Sequence, residues 1–397
     1  MVNYIVNSEA FCEYPHPPPH LKIRAVNSDT RGKSTYFFGA MTLETKNTLA
    51  LLTLPITALV GAIVGGAYSY LAFVLFFIAI PILDQWVGID KSPKVGLVFP
   101  SQALWFRLVV IFANLILNFI MAKAFLNTTL VGSIGVILSS SVTTAFIFRG
   151  IAHQIAHHKD KHSQLTSMTI LAPILYAYSI PQHIHNHHHY ATTKRDTETA
   201  TYKQSFYSYF VNSIKSSWWQ IYTYEAYRLR KKGIGQPINP KNKVYQGLMI
   251  SAFYVSLLIF TLGPASLIFL VAHTALSVIL IETQNYVGHY GLSRKELESG
   301  RFEPFKDTHG WNSEYFLSNF LLSGRGHTSA HHMEVEDPLT APTTTKNKPT
   351  LPYGYITMSW IALITPLWHK LMDPLVQRVQ RKMPLDLKKE RRKKHRS

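Results

Sequence analysis

Long apolar runs alternate along the chain with polar segments that are rich in histidine. Four of these runs come before the first histidine cluster, at 47–66, 67–83, 103–125 and 129–148. Two more, at 245–262 and 264–281, meet at a Gly-Pro turn. Each run is close to the length of about 20 residues that a membrane-crossing helix needs. The pattern predicts an all-α integral membrane protein with about six transmembrane helices.

The loops between the runs predict the orientation of the bundle. The connections after the first and third runs are short and uncharged, whereas the segment after the second run carries Lys91 and Lys94. Because basic loops stay on the cytoplasmic side, we expect both termini there, with the protein in a bacterial inner membrane. The run at 165–180 is marginal for a crossing, so we expect a re-entrant or surface-lying helix. We expect 355–371 to be interfacial or packed on the bundle.

Charge and cysteine content narrow the class further. The net charge of +18 lies mostly between and after the apolar runs, which positive-inside bias explains without a nucleic-acid partner. The single cysteine, Cys12, excludes an intrachain disulfide, a thiolate zinc site and an iron–sulfur cluster. We divide the chain into a cytoplasmic segment at 1–42, a membrane domain at 43–383 and a basic tail at 384–397.

Most of the histidines lie in four short clusters, each just beyond an apolar run. In the first cluster His153 and His157 are four residues apart, so they share one face of a helix, and His158 points elsewhere. If 165–180 does not cross the membrane, all four clusters emerge on the cytoplasmic side and can form one cap.

The second cluster, at 182–190, can be read in two frames. A His-x-x-x-His-His motif is formed by His183, His187 and His188, and a competing frame runs from His185 to His189. The spacing alone does not choose between them.

The remaining clusters supply further imidazoles. The third has His289, with Asn285 one turn earlier as a candidate partner that would orient it, and the fourth has His327, His331 and His332. Imidazoles without thiolates suit iron, copper or zinc. Three or four imidazoles satisfy one ion, so this number of candidates points to two ions.

These clusters resemble the motifs of the integral-membrane alkane 1-monooxygenase family, within the membrane fatty acid desaturase/hydroxylase superfamily. The first is similar to His-Glu-Leu-Gly-His-Lys, and the second to Glu-His-Asn-Arg-Gly-His-His when His183 begins the motif. Residues 285–291 are similar to Asn-Tyr-x-Glu-His-Tyr-Gly, and the fourth cluster to Leu-Gln-Arg-His-Ser-Asp-His-His. The resemblance extends from the first apolar run to about residue 340.

The resemblance implies a non-haem di-iron site in the cytoplasmic cap and oxidation of an apolar substrate by dioxygen. One oxygen atom would enter an unactivated C–H bond, with electrons from a rubredoxin- or ferredoxin-type donor and its reductase. The substrate would be an alkane, an alkylaromatic or an acyl chain, and the protein would reside in the lipid bilayer. The implied iron ligands are nine histidines: His153, His157, His183, His187, His188, His289, His327, His331 and His332.

Further residues are expected around these ligands as hydrogen-bond partners that orient the imidazoles. They are Asp160, Asn285, Asp196 and His309. The chain departs from the family where Gln154, Gln182 and Gly288 replace glutamates, and its fourth cluster is one residue longer. His273, inside an apolar run, lies about 24 Å along the helix from His289, which is too far for a shared metal; we expect a packing histidine, with a place in the substrate channel as the alternative.

Two alternatives use the same residues. A desaturase or decarboxylase of acyl chains would remove hydrogens with the same iron site. A histidine-rich metal transporter would place polar residues midway through several spans, whereas here the histidines cluster at span ends.

Overall fold

The computed structural model describes residues 43–89, 100–160, 162–235, 238–322, 324–333 and 348–394. Side chains are described between 51 and 381 within these ranges. All of these residues belong to one compact unit, Thr42–Ser397. The expected N-terminal segment at 1–42, Cys12, Lys91 and Lys94 lie outside the described residues.

Every extended regular element among the described residues is helical, and strand pairing is limited to isolated bridges. The all-α class predicted from the sequence is confirmed. The helices are α1 Leu43–Val64, α2 Gly66–Val87, α3 Leu104–Leu126, α4 Leu130–Ala156, α5 Ser163–Leu171, α6 at 179–190, α7 Phe206–Lys231, α8 Lys243–Leu262, α9 Ser266–His289, α10 Phe316–Leu321, α11 Thr328–Met333, α12 Tyr355–Ala362 and α13 Thr365–Lys394.

Five of these helices, α2, α3, α4, α8 and α9, are long and apolar enough to cross a membrane. The first predicted run contributes a shorter apolar stretch, Leu51–Val64, within α1. The structure therefore supports five of the roughly six spans by length and composition. The run at 165–180 is broken, because α5 ends at Leu171 and Leu175 takes a left-handed φ of 52°. Pro173, which lacks a backbone N–H, stands at this break.

Small and hydroxyl-bearing residues allow the spans to pack closely. Ser139 on α4 donates its hydroxyl to the Ser69 carbonyl at 2.6 Å. His273 on α9 is fully buried, its Nδ1 lies 3.2 Å from the hydroxyls of Ser140 and Ser141, and its ring stacks on Phe269. A polar side chain inside an apolar bundle needs such partners. His273 thus has the packing role expected for it.

The helices after the third histidine cluster close one end of the bundle. The Asp84 carboxylate at the end of α2 accepts the backbone N–H groups of Leu317 and Ser318 at 3.1 Å and so caps α10. Tyr290 donates to Asp373 of α13 at 2.6 Å. The segment at 355–371 forms α12 and the start of α13, and the buried face of α12 packs against α9.

Candidate metal centre

The first cluster lies at the end of α4, where helical geometry aligns its histidines. His153 is in the last turn of α4 and His157 follows the final residue, with ring centroids 4.9 Å apart. His158 points away, and its Nε2 lies 2.6 Å from the Ser101 hydroxyl. His153 and His157 therefore face the cap interior together, as their spacing predicted.

The second cluster is wound into a π turn, His183–His187, inside α6. The backbone N–H of His188 donates to the carbonyl of His183, five residues earlier. A π turn differs in this way from the four-residue bonding of an α-helix, and such turns are frequent at functional sites. His183 and His188 consequently meet on one side, while His187, whose ring stacks on that of His183 at 4.9 Å, also reaches a second group.

One group, called here the five-histidine group, is assembled from three of the four clusters. One ring nitrogen of each member lies within 4.8 Å of the others. Its members are His153, His157, His183, His188 and His331.

The nitrogen spacing of the five-histidine group suits a shared ion. The Nε2 of His183 lies 2.7 Å from that of His153 and 3.0 Å from that of His188, which is itself 3.1 Å from that of His331. Two nitrogens bound at right angles to one ion at about 2.1 Å lie about 3.0 Å apart. The donor set therefore fits a metal ion.

The second group, the three-histidine group, consists of His187, His289 and His332, all buried. The Nε2 atoms of His289 and His332 are 3.0 Å apart. His331 and His332 are neighbours on α11, yet they serve different groups, as do His187 and His188. Two ions lying side by side could each be held by one of the two groups.

His327 belongs to neither group, although it lines the same cavity. It precedes α11, where its backbone N–H donates to Gly324 and it forms a bridge with Asn312. Eight of the nine histidines expected as ligands are therefore brought together. His185 stacks on Tyr224 instead, and neither it nor His189 is in a group, so the geometry favours the frame that begins at His183.

The outward nitrogens of three grouped histidines face oxygen acceptors. Nδ1 of His187 lies 3.0 Å from the Asp196 carboxylate, Nδ1 of His183 lies 3.4 Å from Glu198, and Nδ1 of His289 lies 3.2 Å from the His309 carbonyl. An acceptor at Nδ1 keeps the proton there and leaves Nε2 free for a metal. Asp196 was expected in this role. Glu198 was missed, and its position two residues after Asp196 was the only available signal.

Two of the expected orienting residues have other partners. The Asp160 carboxylate is held by both terminal nitrogens of Arg107, at 2.9 and 2.7 Å, and by Ser163, so it does not orient His157. A paired guanidinium is the stronger partner for a carboxylate. Asn285 donates to Glu282 at 3.0 Å and accepts from Arg325 at 3.1 Å instead of contacting His289.

His309 acts through its backbone carbonyl instead of its ring. Nδ1 of the ring accepts the Lys306 backbone N–H at 3.0 Å, and Nε2 lies 3.5 Å from Glu303. The ring therefore stabilises the turn that presents the carbonyl to His289.

Burial keeps most of these imidazoles in the neutral form that binds metals. It lowers the pKa of His157 to about 3 and holds the pKa values of His183, His188 and His331 well below the usual range. Burial also opposes protonation of His187, but the carboxylates of Asp196 and Glu198 outweigh it and raise that pKa.

The three positions that lack the family glutamate differ in their surroundings. Gln154 lines the cavity, and the Gln182 amide donates to Thr197 and Gln220. A Cβ on Gly288 would lie 3.2 Å from the Tyr355 hydroxyl, so a larger side chain would displace that tyrosine.

Glu282, unforeseen from the sequence, supplies a buried carboxylate two turns before His289. The hydroxyls of Tyr176, Tyr209 and Ser213 donate to this carboxylate.

A cavity of about 70 Å³ joins the two histidine groups. It is lined by histidines of both groups, by polar side chains that include Gln154, Gln284 and Arg325, and by Gly150, Leu322 and Tyr355. A metal pair held by these histidines would have open space beside it for a substrate.

Comparison with known proteins agrees with this geometry. Residues 127–362 match the fatty acid desaturase family model, so the chain belongs to the fatty acid desaturase family. Alkane 1-monooxygenase 2 of Pseudomonas aeruginosa is 29% identical over 78% of this chain and 85% of its own length. Alkane 1-monooxygenase 2 of Alcanivorax borkumensis is 29% identical over 81% and 87%. The xylene/toluene monooxygenase hydroxylase component of Pseudomonas putida is 26% identical over 60% and 63%.

The likeness first seen in the histidine motifs is confirmed by these matches, and identities of 25 to 31% agree with a divergent member.

Proposed function

We propose that the protein is a membrane-bound non-haem di-iron monooxygenase that hydroxylates an unactivated C–H bond of an apolar substrate. The observation that carries the proposal is the convergence of eight histidines, drawn from all four clusters, into two groups on one cavity. The relatives that are alkane 1-monooxygenases or a xylene/toluene monooxygenase component support this reaction class.

The residues of the site would hold the metal ions, orient the imidazoles and hold the substrate. The five-histidine group would hold one iron and the three-histidine group the other. The iron pair would supply the activation of dioxygen. Asp196, Glu198 and the His309 carbonyl would fix the ring orientations, and the cavity beside the two groups would hold the substrate.

Electrons would come from a rubredoxin- or ferredoxin-type protein with its reductase. The net charge of +18 suits an acidic donor, because complementary charge speeds encounter. The histidine cap and both termini would face the cytoplasm of a bacterial inner membrane, since the charge pattern along the chain favours that orientation.

Product analysis under labelled dioxygen tests the proposal. The full chain in membranes, supplied with donor and reductase, is given n-octane or p-xylene under ¹⁸O₂. We expect an alcohol that carries one labelled oxygen atom. An alkene without label would show desaturation, and metal uptake into vesicles without any product would show transport.

Matched histidine variants give the control for this experiment. His183→Ala removes a member of the five-histidine group and should abolish the product, whereas His185→Ala removes a neighbouring histidine that stacks on Tyr224 and should retain it. Equal loss in both variants would contradict the assignment of the site.

A further inference from the structure

Gly150 is placed on the cavity-facing side of α4. It lies three residues before His153 and four before Gln154, and all three line the cavity. Residues at these spacings share one helix face. Because an α-helix rises 1.5 Å per residue, Gly150 lies about 4.5 Å from His153 along the helix axis, towards the interior of the bundle. Gly150 therefore lines the cavity one helical turn deeper in the bundle than His153.

The space beside Gly150 is open, unlike the space beside other glycines of the bundle. A Cβ on Gly61 would overlap the Tyr68 carbonyl, and one on Gly135 would overlap the Tyr70 ring. A Cβ on Gly150 meets no atom within 4 Å. Packing therefore requires glycine at the first two positions but does not require it at Gly150.

Backbone conformation does not require this glycine either. Gly150 lies within a helix and is not among the positive-φ glycines of the chain. A glycine inside a helix is destabilising relative to alanine, so its presence needs another reason. The remaining consequence of the missing side chain is free volume in the cavity beside His153.

The cavity beside this glycine has both apolar and polar walls. Leu322 is buried, and the Tyr355 hydroxyl donates to the Gln284 carbonyl at 2.7 Å. The Gln284 amide nitrogen donates to the Ala145 carbonyl at 3.1 Å. These two donors are directed to backbone carbonyls, whereas one terminal nitrogen of Arg325 has no protein partner among the described residues.

We propose that the open face at Gly150 receives the reacting end of the substrate, and that the missing side chain allows an end carrying a ring or a branch to reach the histidine groups. This inference rests on the proposed monooxygenase function and adds the residue that limits substrate width.

Substitutions of increasing size at Gly150 test the inference. Wild type, Gly150→Ala and Gly150→Leu are incubated with an equimolar mixture of n-octane and p-xylene, and labelled alcohols are quantified. We expect wild type to oxidise both. The ratio of p-xylene product to n-octane product should fall by about tenfold or more in Gly150→Leu, as expected for crowding of a few methylene groups. The product ratio of Gly150→Ala should lie between those of wild type and Gly150→Leu. In Gly150→Ala the KM for p-xylene should rise by a larger factor than kcat falls.

Controls separate a change in the pocket from a change in folding. Gly235 is exposed and a Cβ there meets no atom within 4 Å, so Gly235→Leu should keep the wild-type product ratio. Iron content should be unchanged in all variants, and Gly150→Ala should raise the Tm because it removes a helical glycine. If Gly150→Leu loses iron, the p-xylene to n-octane product ratio of Gly150→Ala is the test of the inference.

Two results would overturn the inference while leaving the monooxygenase function intact: an unchanged ratio in the iron-loaded Gly150 variants, or wild type that oxidises n-octane alone. Absence of any labelled product from wild type would instead overturn the proposed function, and this inference with it.

Discussion

The Nε2 atoms of His183 and His188 are 3.0 Å apart although the two residues are five positions apart on one helix. The π turn makes this possible, because the His188 N–H bonds to the His183 carbonyl. In the same turn the His183 ring stacks on the His187 ring at a centroid distance of 4.9 Å, and His187 belongs to the three-histidine group. The π turn thus distributes one cluster between two candidate metal positions.

Deletion of Ile184 should convert the π turn into an ordinary helical turn and move His183 out of the five-histidine group. We expect bound iron to fall substantially, because the nitrogen nearest to both His153 and His188 is lost from its position. Ile184→Ala keeps the residue count and should retain iron. Elemental analysis of the two purified variants measures this, and equal iron content would contradict the role of the turn.

Glu198→Gln should weaken metal binding while leaving the histidines of both groups in place. The carboxylate lies 3.4 Å from Nδ1 of His183 and 3.8 Å from that of His187, and loss of such a partner typically lowers metal affinity about 10- to 100-fold. Glu296→Gln, which alters an ion pair with Lys194 at the surface, is the control and should bind metal with wild-type affinity. Competition with a chelator measures the affinity. Wild-type affinity in Glu198→Gln would show that the carboxylate does not orient the rings.

His327→Ala should lose less iron than His331→Ala. His331 belongs to the five-histidine group, whereas His327 lies outside both groups. The comparison distinguishes the eight-histidine arrangement from the nine ligands that the motifs imply. Equal loss of iron in the two variants would support nine ligands.

Asp84→Asn should destabilise the protein without changing the site. Its carboxylate accepts two backbone N–H groups and the Ser318 hydroxyl at the start of α10, and loss of a cap of this kind costs about 1–2 kcal/mol. We expect a lower Tm at unchanged iron content per folded chain. Glu298→Gln, at an exposed position, should keep the wild-type Tm. Unchanged stability in Asp84→Asn would contradict the capping role.

The features that depend on local periodicity are predictable from the sequence. The four-residue spacing of His153 and His157 is enough to place both rings on one helix face, and apolar run lengths are enough to identify five spans. The family motifs then selected the His183 frame, which the geometry also favours.

The features that were missed depend on tertiary contacts or on irregular helix geometry. Asp160 meets Arg107 across 53 residues of sequence, and no local pattern indicates that pairing. His309 acts through its carbonyl, which carries no side-chain signal. The five-residue pairing of His183 and His188 follows from a π turn, and histidine spacing alone predicts an α-helix there instead.

The number of iron ions per chain tests the central claim most directly. Wild-type protein purified in detergent after growth with iron should contain two iron ions per chain, and His183→Ala should contain fewer while His185→Ala retains both. Iron at one per chain or below in fully folded wild type, or another metal in its place at full occupancy, would contradict a histidine-ligated di-iron centre.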